Sequence, residues 1–441
     1  MSERYPNQSR ETRLRRESSY GVAGSGDFLR LNGLSMMISP SITTNPVRVP
    51  GLLVQSGVTV DDSFGVASIS GRLDFNALLF ILAGAFGQPT LTDLGGSPNA
   101  YQWDWVWKGR KPNRPVSFEA FSGFAKRAEK AMGYISNSLS ISGARPDGFD
   151  VSGDGFAKTP VTGQTMGGVV FERQTLSKTG TVSGGTFTIT FNGEETADIA
   201  YNATAADIKT ALEAIYGIES GDIVTAGGPP STTPVTIDFQ GYYAGEDVSL
   251  MTVDSTGLTG GGSYSIAETT PGEDVVYDVP QVVAGAITGD VYIDTSWAGL
   301  GTSHLLDCLG MSLDIGERMS RVTPINSSFS SDGVIDVAEQ DHTMGLTLAS
   351  NAVLDAEIAK LVAGTPSFVR QKWTGPTISG GNKFLLQVDA CVVYSDIGES
   401  SNTQEVDTRE LTGAISLDPV TSNVLAIRLI NKMSTLSPVA A

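Results

Sequence analysis

The chain contains few residues of the kinds that bind metals or carry out acid–base catalysis. Its 441 residues include two cysteines, Cys308 and Cys391, and two histidines, His304 and His342. Both cysteines lie in apolar, strand-like stretches without the regular spacing of a disulfide framework, so we predict buried thiols. Two histidines are too few for an imidazole-rich metal site or a proton relay. We therefore expect no cofactor, no metal and no enzymatic activity.

Basic residues and long apolar runs are also scarce. Lys and Arg number 29 against 48 Asp and Glu, which gives a formal net charge of −19 and a pI near 4.5. Tight binding to nucleic acid over a broad surface needs many basic side chains, so this balance argues against it. Residues 1–19 hold no apolar stretch that could act as a secretory signal, and the most apolar window, residues 78–86, is too short to cross a bilayer. We expect a soluble protein without membrane association.

The chain does contain a helical pattern among Gly-, Ser- and Thr-rich strands. Residues 73–87, LDFNALLFILAGAFG, predict one amphipathic helix that Asp74 caps and Gly87 ends. The side chains predicted to pack against a sheet recur at helical spacing: Phe75, Leu78, Leu79, Leu82 and Phe86. Burial of each contributes roughly 1.5 to 3 kcal/mol, so the helix requires a sheet to cover it.

A second helix of the same kind is predicted far along the chain. Residues 351–365, NAVLDAEIAKLVAGT, end at Gly364, which suits the left-handed position after a helix. Its predicted packing face consists of Leu354, Ile358, Leu361 and Val362. Because similar strand-like segments flank both helices, we infer two copies of one unit.

An aromatic strand follows the first helix. Tyr101, Trp103, Trp105 and Trp107 alternate with polar residues, which predicts a strand with one aromatic face. Such a face could be a sugar-binding or base-stacking platform. Opposite a helix that carries Phe75 it belongs more often to the core, by roughly four to one.

Two segments are predicted to lack regular structure. Residues 1–19 are rich in Arg and Glu, which predicts a flexible arm. That arm is either a solvated tail or a segment that binds an acidic surface on a neighbouring subunit. Residues 43–65 contain two prolines and several turn residues, which predicts a long projecting loop rather than a central strand.

Two motifs carry weak signals of site chemistry. GVAGSG, residues 21–26, lacks the flanking strand and helix of a dinucleotide site. Asp150 and Asp154 have a spacing reminiscent of a calcium loop, but Val161 stands where a bidentate Glu is needed. We predict a polar turn there, and no catalytic, cofactor or metal site in the chain.

Residues 174–270 have a pattern of their own. The Asn192-Gly193 pair predicts a hairpin turn, and Thr204 can cap a helix. The apolar stripe of that helix consists of Ile208, Leu212 and Ile215. The segment resembles a small β-rich module found in phage structural and cell-surface proteins, on the pattern GTFTITFNGEETADIAYNATAADIKTALEAI.

These observations predict a mainly β (α+β) chain with four parts. A flexible arm covers residues 1–19, and an inserted ββαββ module covers residues 174–270. The two copies of the repeated unit cover residues 20–173 and 271–441, each as a β-sandwich or barrel with one packed helix.

Three stretches of the chain together resemble the major tail tube proteins of long-tailed bacteriophages. They are residues 17–51 (ESSYGVAGSGDFLRLNGLSMMISPSITTNPVRVPG), residues 69–87 (ISGRLDFNALLFILAGAFG) and a region from residue 290 to residue 375. The resemblance implies a sheet packed on a helix, and subunits that join edge to edge into rings. Stacked rings would form the tail tube. A duplicated unit implies homotrimeric rings of pseudo-sixfold shape.

The resemblance also implies partners and contacts. The protein would be made in the host cytoplasm and lie in the tail of the virion, with the tape measure protein and other tail proteins as partners. Genomic DNA would pass through an acidic tube during ejection without specific binding. Two loops would reach the next ring, one with Pro46, Val47, Arg48, Val49 and Pro50, the other with Val322, Pro324, Asp332 and Val337.

A second function from another class remains open. In a tail-tip or adhesive protein, the module at residues 174–270 would recognise a host glycan, and the flanking regions would present it. Tyr242 and Tyr243 are the best candidate pair for such a site, although ordinary packing is the more frequent role of such residues.

Overall fold

The chain folds into two compact units rich in strands. The computed structural model describes residues 10–47, 57–108, 114–124, 127–144, 148–282, 287–305, 307–322, 333–336, 341–403 and 405–438. One unit is built mainly from residues 163–276, and the other from segments on both sides of it. The prediction of a mainly β fold is confirmed. Within the described ranges, no helix has the length and apolar character needed to cross a membrane.

The elements follow in chain order. The first strands are β1 Glu11–Arg16, β2 Phe28–Leu31, β3 Leu34–Val47, β4 Gly57–Arg72, β5 Thr90–Gly96, β6 Asn99–Trp107, β7 Phe118–Phe124, β8 Arg127–Ser136, β9 Leu139–Ala144, β10 Gly148–Ala157 and β11 Val161–Gln164. The next are β12 Val169–Val170, β13 Arg173–Thr179, β14 Gly184–Phe191, β15 Glu194–Glu195, β16 Ile199–Ala200, β17 Ile223–Gly227, β18 Val235–Phe239, β19 Thr252–Asp254, β20 Leu258–Thr259, β21 Ser263–Thr270 and β22 Glu273–Asp274. The last are β23 Val276–Val279, β24 Thr288–Asp294, β25 His304–Leu305, β26 Cys308–Ile315, β27 Met319–Val322, β28 Gly333–Asp336, β29 His342–Ala349, β30 Ser367–Ser379, β31 Asn382–Ile397, β32 Ser401–Thr403, β33 Val406–Ser416 and β34 Leu425–Asn431. The helices are α1 Leu78–Phe86, α2 Ala205–Leu212 and α3 Ala352–Ala363.

One antiparallel ladder runs through the larger unit. Its strands pair in the order β3-β4-β10-β9-β26-β29-β33, and β33 pairs in turn with β31 and β32. The junction between β9 and β26 places Ser142 opposite Ser312. The ladders on the two sides of this junction have the same order, β3-β4-β10-β9 before it and β26-β29-β33-β32 after it.

A second layer branches from β31. That long strand pairs with β30 along one edge, and its first half pairs with β34 along the other. From β34 the layer continues to β6 and β5, and from β30 it continues to β24 and β25. The inner faces of the layers share one apolar core, which includes α1.

Helix α1 is shorter and more buried than the sequence predicts. It begins at Leu78, so Phe75 lies in the turn before it, and all nine of its residues are buried. The prediction of an amphipathic helix over residues 73–87 is therefore wrong. The segment carries no polar residue that needs solvent, so it can lie inside the core. Asp74 Oδ1 accepts hydrogen bonds from the backbone N–H groups two and three residues further on, at 2.9 and 3.2 Å.

Helix α3 follows a capping residue of the same geometry. Asn351 Oδ1 accepts from the N–H groups two and three residues further on, also at 2.9 and 3.2 Å, and Gly364 ends the helix with φ 62°. Leu354 is buried, and Ile358 and Leu361 pack against the core. The prediction that Val362 belongs to this packing face is wrong.

Val362 is 83% exposed. Eight residues at about 100° each place it roughly 80° around the helix from Leu354, beyond the buried stripe.

The aromatic strand β6 belongs to the core, as predicted. Trp103 and Trp105 are buried, and their indole N–H groups are satisfied. Trp103 Nε1 donates to Asn431 Oδ1 at 3.1 Å, and Trp105 Nε1 donates to the Gly87 carbonyl at 2.9 Å. The second bond ties the strand to the end of α1.

A buried cation lies beside this strand. Arg318 has no exposed surface, and its guanidinium lies 4.1 Å from the Phe86 ring centroid and 4.7 Å from that of Trp107. The His342 ring packs edge-on against Trp107 at 5.3 Å, and His342 Nδ1 accepts from the Gly316 N–H at 3.0 Å. Burial and the nearby Arg318 charge lower the pKa of His342 to about 4.

Three segments predicted to be irregular form strands. Residues 11–16 of the predicted flexible arm are β1, and its Leu14 is completely buried, so that prediction is wrong there. The predicted loop at residues 43–65 is a hairpin paired out to Val47 and Gly57, while residues 48–56 lie outside the described chain. The predicted polar turn at Asp150 is part of β10, which is paired on both edges. The alternation of side chains between the two faces of the sheet, rather than the presence of turn residues, determines that these segments form strands.

The smaller unit contains the predicted hairpin and helix. At the β14–β15 turn, Asn192 and Gly193 both have positive φ, 50° and 88°, as a type I′ turn requires. Thr204 Oγ1 accepts from the Asp207 N–H at 3.2 Å, and the Asp207 carboxylate accepts from the Thr204 N–H at 2.9 Å. Short strands β15, β16, β19 and β20 extend the predicted ββαββ order.

The first prediction concerns His342 and pH. Its pKa is lowered from about 6.5 to about 4 in the folded chain, so the unfolded chain binds a proton between these values that the folded chain does not. Stability must fall as pH falls from 6.5 to 4, by about 3 kcal/mol from this group. We expect His342→Gln to flatten the pH dependence of urea unfolding over that window.

The positions of the tryptophans determine the readout, and the second histidine provides the control. All five lie outside residues 163–276, so Trp fluorescence reports the larger unit. His304→Gln, at the exposed second histidine, is the matched control for removal of an imidazole. Equal slopes for wild type and His342→Gln would contradict the assignment.

Candidate assembly surfaces

The larger unit presents a polar face on its main ladder. Side chains on β9, β26, β29, most of β10 and the inner parts of β3 and β4 largely alternate between the core and this face. The inward set is apolar and buried: Met36, Ile38, Ala67, Ile69, Val151, Leu139, Ile141, Met311, Leu313, Met344 and Leu346. The outward set is dominated by small hydroxyl side chains. We call it the hydroxyl face.

Three cross-strand rows define the hydroxyl face. The first row is Ser35, Ser70, Ser152, Ser140, Asp314 and Thr343. The second is Met37, Ser68 and Asp154. The third is Arg72, Asp150, Ser142, Ser312, Gly345 and Thr412. Serine is the commonest residue in the rows, so the surface is flat and offers many weak hydrogen-bonding groups.

The charge of the hydroxyl face is negative. Its rows carry Asp150, Asp154 and Asp314 against one cation, Arg72, and Arg72 is held by Asp150 at 3.1 Å. A depression of about 380 Å³ opens between Asp154, Asp314 and Asp341. No group of three or more metal-ligating side chains forms a metal site among the described residues. The face therefore carries a net negative charge that repels anions, and the one cation in its rows is paired with a carboxylate.

The first predicted inter-ring loop continues a long hairpin. Pro46 and Val47 end β3, and Arg48, Val49 and Pro50 lie outside the described residues. The outer part of this hairpin exposes apolar side chains: Ile42 is 54% exposed and Val58 is 53% exposed. We call residues 41–47 with 57–63 the long arm.

The second predicted loop belongs to the β27–β28 hairpin. Val322 ends β27, whereas Pro324, Asp332 and Val337 lie outside the described residues. The base of the hairpin is fixed, because Asn137 Oδ1 accepts from the N–H groups of Arg318 and Met319 at 3.1 and 2.7 Å.

We call the β27–β28 hairpin the short arm, and an ion pair connects it to the long arm. Both guanidinium nitrogens of Arg321 donate to the Asp62 carboxylate, at 2.7 and 3.3 Å, and the guanidinium stacks 3.3 Å over the Phe64 ring. The bidentate contact lowers the pKa of Asp62. The arms are thus brought together at their bases, which the sequence analysis did not anticipate.

The residues predicted for helix packing lie in the apolar core. Phe75, Leu78, Leu79 and Leu82 have at most 1% exposure. They serve the fold and are not available to a partner. Leu354, Ile358 and Leu361 join α3 to the same core.

The remaining candidate groups do not form a reactive site. Both cysteines are free, and burial raises the pKa of Cys308 to about 12 and that of Cys391 to about 11. His342 is buried and packs edge-on against Trp107, and exposed His304 lies 3.4 Å from Asp290. The thiols are therefore inert, because a reactive cysteine needs a low pKa and access to solvent.

Exposed tyrosines occur on the smaller unit. Tyr242 is 68% exposed and packs edge-on against Tyr243, with ring centroids 5.1 Å apart. The Tyr243 hydroxyl donates to the Gly217 carbonyl. Tyr216, the residue before Gly217, is 87% exposed. Tyr216 extends the predicted tyrosine pair to a group of three.

Sequence reasoning missed the hydroxyl face, although its signal is present. Ser-x-Ser alternation occurs at Ser68 and Ser70 and again at Ser138, Ser140 and Ser142. Each run looks like an ordinary half-exposed strand. Only strand order brings the runs together as one surface.

Comparison with known proteins relates one region of the chain to a phage tail protein. No family model matches the chain. A tail sheath protein of Mycobacterium phage Bxz1 is 32% identical over 102 residues, which are 23% of this chain and 16% of that protein. The match thus spans about a sixth of that relative. A solved structure from Mycobacterium phage Patience shares 14% identity over 59% of this chain and 80% of that chain, and its TM-score of 0.18 is too low to support a common fold. The sequence match supports a relationship with phage tail proteins.

Proposed function

We propose that this chain is a structural protein of a bacteriophage tail, and that it polymerises into stacked rings that form the tail tube. The observation that carries the proposal is the continuous ladder with an apolar inner side and an anionic hydroxyl face. The region shared with a tail sheath protein supports a place in the tail. The geometry of the sheet favours the tube over other tail components.

The repeated ladder order supports a duplicated tube unit. Both halves of the larger unit have the same succession of four strands. In both, an Asp or Asn accepts from the N–H groups two and three residues further on, directly before α3 and four residues before α1. Three chains with two such units each would give a ring of pseudo-sixfold shape. Ring closure would also cover sheet edges that otherwise invite aggregation.

The hydroxyl face fits the lining of a DNA conduit. Three chains carry three times −19, or −57 formal charges, and carboxylates on the lining repel phosphates over roughly 8 Å at physiological salt. Serine hydroxyls offer no cation to hold a phosphate. Genomic DNA would slide past such a surface, and the tape measure protein would occupy it before ejection.

The arms supply the contacts between rings in this proposal. The long arm exposes Ile42 and Val58 at positions that serve no core of its own chain. Such side chains would be covered when one ring stacks on the next. Of the predicted loop residues, Pro46, Val47 and Val322 belong to the described strands of these arms, and the others lie outside the described residues.

Electron microscopy of the purified protein tests the proposal directly. We expect rings or tubes with a central channel, and in sedimentation a ring species of three chains of 46.3 kDa each. A protein that stays monomeric at every concentration and salt condition would contradict the proposal.

A double substitution on the long arm separates ring formation from stacking. Ile42→Asp with Val58→Asp places charge on two exposed apolar positions, so the fold should be retained while rings no longer stack. Thr44→Asp with Thr59→Asp, at exposed positions that do not face Asp62 across the hairpin, is the matched control and should still give tubes. Tube length in micrographs is the measurement. Tubes of normal length from the first variant would exclude the long arm from the inter-ring contact.

A second candidate function rests on the three tyrosines of the smaller unit. Exposed aromatic rings that stack on sugars are typical of glycan sites, so an adhesive role is the alternative. If it holds, immobilised host-cell polysaccharide should retain the wild-type chain, and Tyr242→Ala with Tyr216→Ala should lose at least tenfold in retention. Tyr264→Phe, which changes a buried tyrosine, is the control. No retention of the wild type would remove this candidate.

A further inference from the structure

The main ladder has two open ends. At one end β3 pairs with β4, and no other ladder runs along its far edge within the described chain. Pro40 and Pro46, which cannot donate to a ladder, lie on β3 as is typical of an edge strand. At the other end the short strand β32 pairs with β33 through Ser401 and Asn402. Neither far edge carries a further ladder within the described chain, and on β3 the backbone groups of Met36 are bonded by the hydroxyls of Thr12 and Ser122.

The interior of the ladder contains a junction that relates these two ends. There β9 of the first half pairs with β26 of the second half. Since the halves repeat the same strand order, β26 corresponds to β3, and β9 corresponds to β32.

The register on the β3 side follows from the helix caps. The residue four positions before Asp74 pairs with Ser35, and the residue four positions before Asn351 pairs with Gly310. Ser35 therefore corresponds to Gly310, and by the same count Met37 corresponds to Ser312.

The register on the β32 side follows in the same way. Ser142 pairs with Asp150, and Asp150 pairs with the residue two positions before the first helix cap. Ser401 pairs with Thr408, and Thr408 pairs with the residue two positions before the second cap. Ser401 therefore corresponds to Ser142.

We propose that β32 of one chain pairs antiparallel with β3 of a second copy, with Ser401 opposite Met37. Within the chain Ser142 lies opposite Ser312, and the correspondence transfers this register to the contact between chains. Asn402 then faces Met36, and Thr403 faces Ser35. The inference deepens the proposed tube function, on which it rests.

Exposure at the edge of β3 fits this contact. Met37 is 58% exposed on a face otherwise rich in serine, and a neighbouring strand would cover it. In the single chain, the Met36 N–H donates to Thr12 Oγ1 at 2.9 Å, and Ser122 Oγ donates to the Met36 carbonyl at 2.5 Å. Thr12 and Ser122 are 3% and 0% exposed, so the proposed pairing requires both side chains to release Met36 when the partner strand binds.

The hydrogen bonds of the Met36 backbone also determine which residue of β3 can be crosslinked to a neighbouring chain. The Met36 backbone groups point away from β4, so Met37 falls at a non-hydrogen-bonded position of the new ladder. Cα atoms at such positions are about 4.5 Å apart, within reach of a disulfide. Met37→Cys with Ser401→Cys should therefore link neighbouring chains under mild oxidation. Ring closure predicts covalent trimers on non-reducing gels.

Three controls accompany this variant. Ser142→Cys with Ser312→Cys tests the geometry within one chain and should form an internal disulfide. Ser39→Cys with Ser401→Cys shifts one thiol by two residues, roughly 6.8 Å along β3, and should give at least tenfold less crosslinked product. Met37→Cys alone should give none, because the native thiols are unreactive.

The outcomes separate this inference from the proposed function. Rings that form without the Met37–Ser401 crosslink, or with the shifted pair linking better, would overturn the proposed register and leave the tube function standing. Absence of rings in the parent protein would overturn both.

Discussion

Backbone pairing between β9 and β26 is the interaction on which the larger unit depends. It joins two ladders of the same order into one sheet, and it keeps their alternation in phase. A slip of one residue would turn Met311 and Leu313 to solvent and bury Asp314. The core and the hydroxyl face are therefore two results of one register.

The core behind this sheet is organised around a wholly apolar helix and one buried cation. Helix α1 needs cover on every side, which a single sheet cannot give, and the second layer through β6 completes it. Arg318 lies between the rings of Phe86 and Trp107, where aromatic faces partly replace water around its charge. That charge, together with burial, keeps His342 neutral and couples the stability of the core to pH.

The surfaces available for assembly follow from where this sheet stops. Its open edges present backbone groups, which pair with a β-strand of another chain more readily than with a small ligand. Its outer face is anionic and rich in hydroxyls, which in the tube that we propose would favour passage of a polyanion over capture. The arms carry exposed apolar residues beyond the core. An assembly in which edges close a ring, faces line it and arms stack it uses every one of these features.

The sequence by itself determined the local elements. Alternation predicted the aromatic strand, and Asn192-Gly193 predicted the turn between β14 and β15. Asn351 and Gly364 marked the two ends of α3. These features could be predicted because they depend on residues that are neighbours in the sequence. The sequence misjudged α1, the segment of β1 and the hairpin of the long arm, where burial by distant strands decides the structure. The hydroxyl face and the Arg321–Asp62 contact could not be predicted, since they join residues from separate strands. Only the tertiary structure decided them, because strand order depends on long-range pairing that no local pattern encodes.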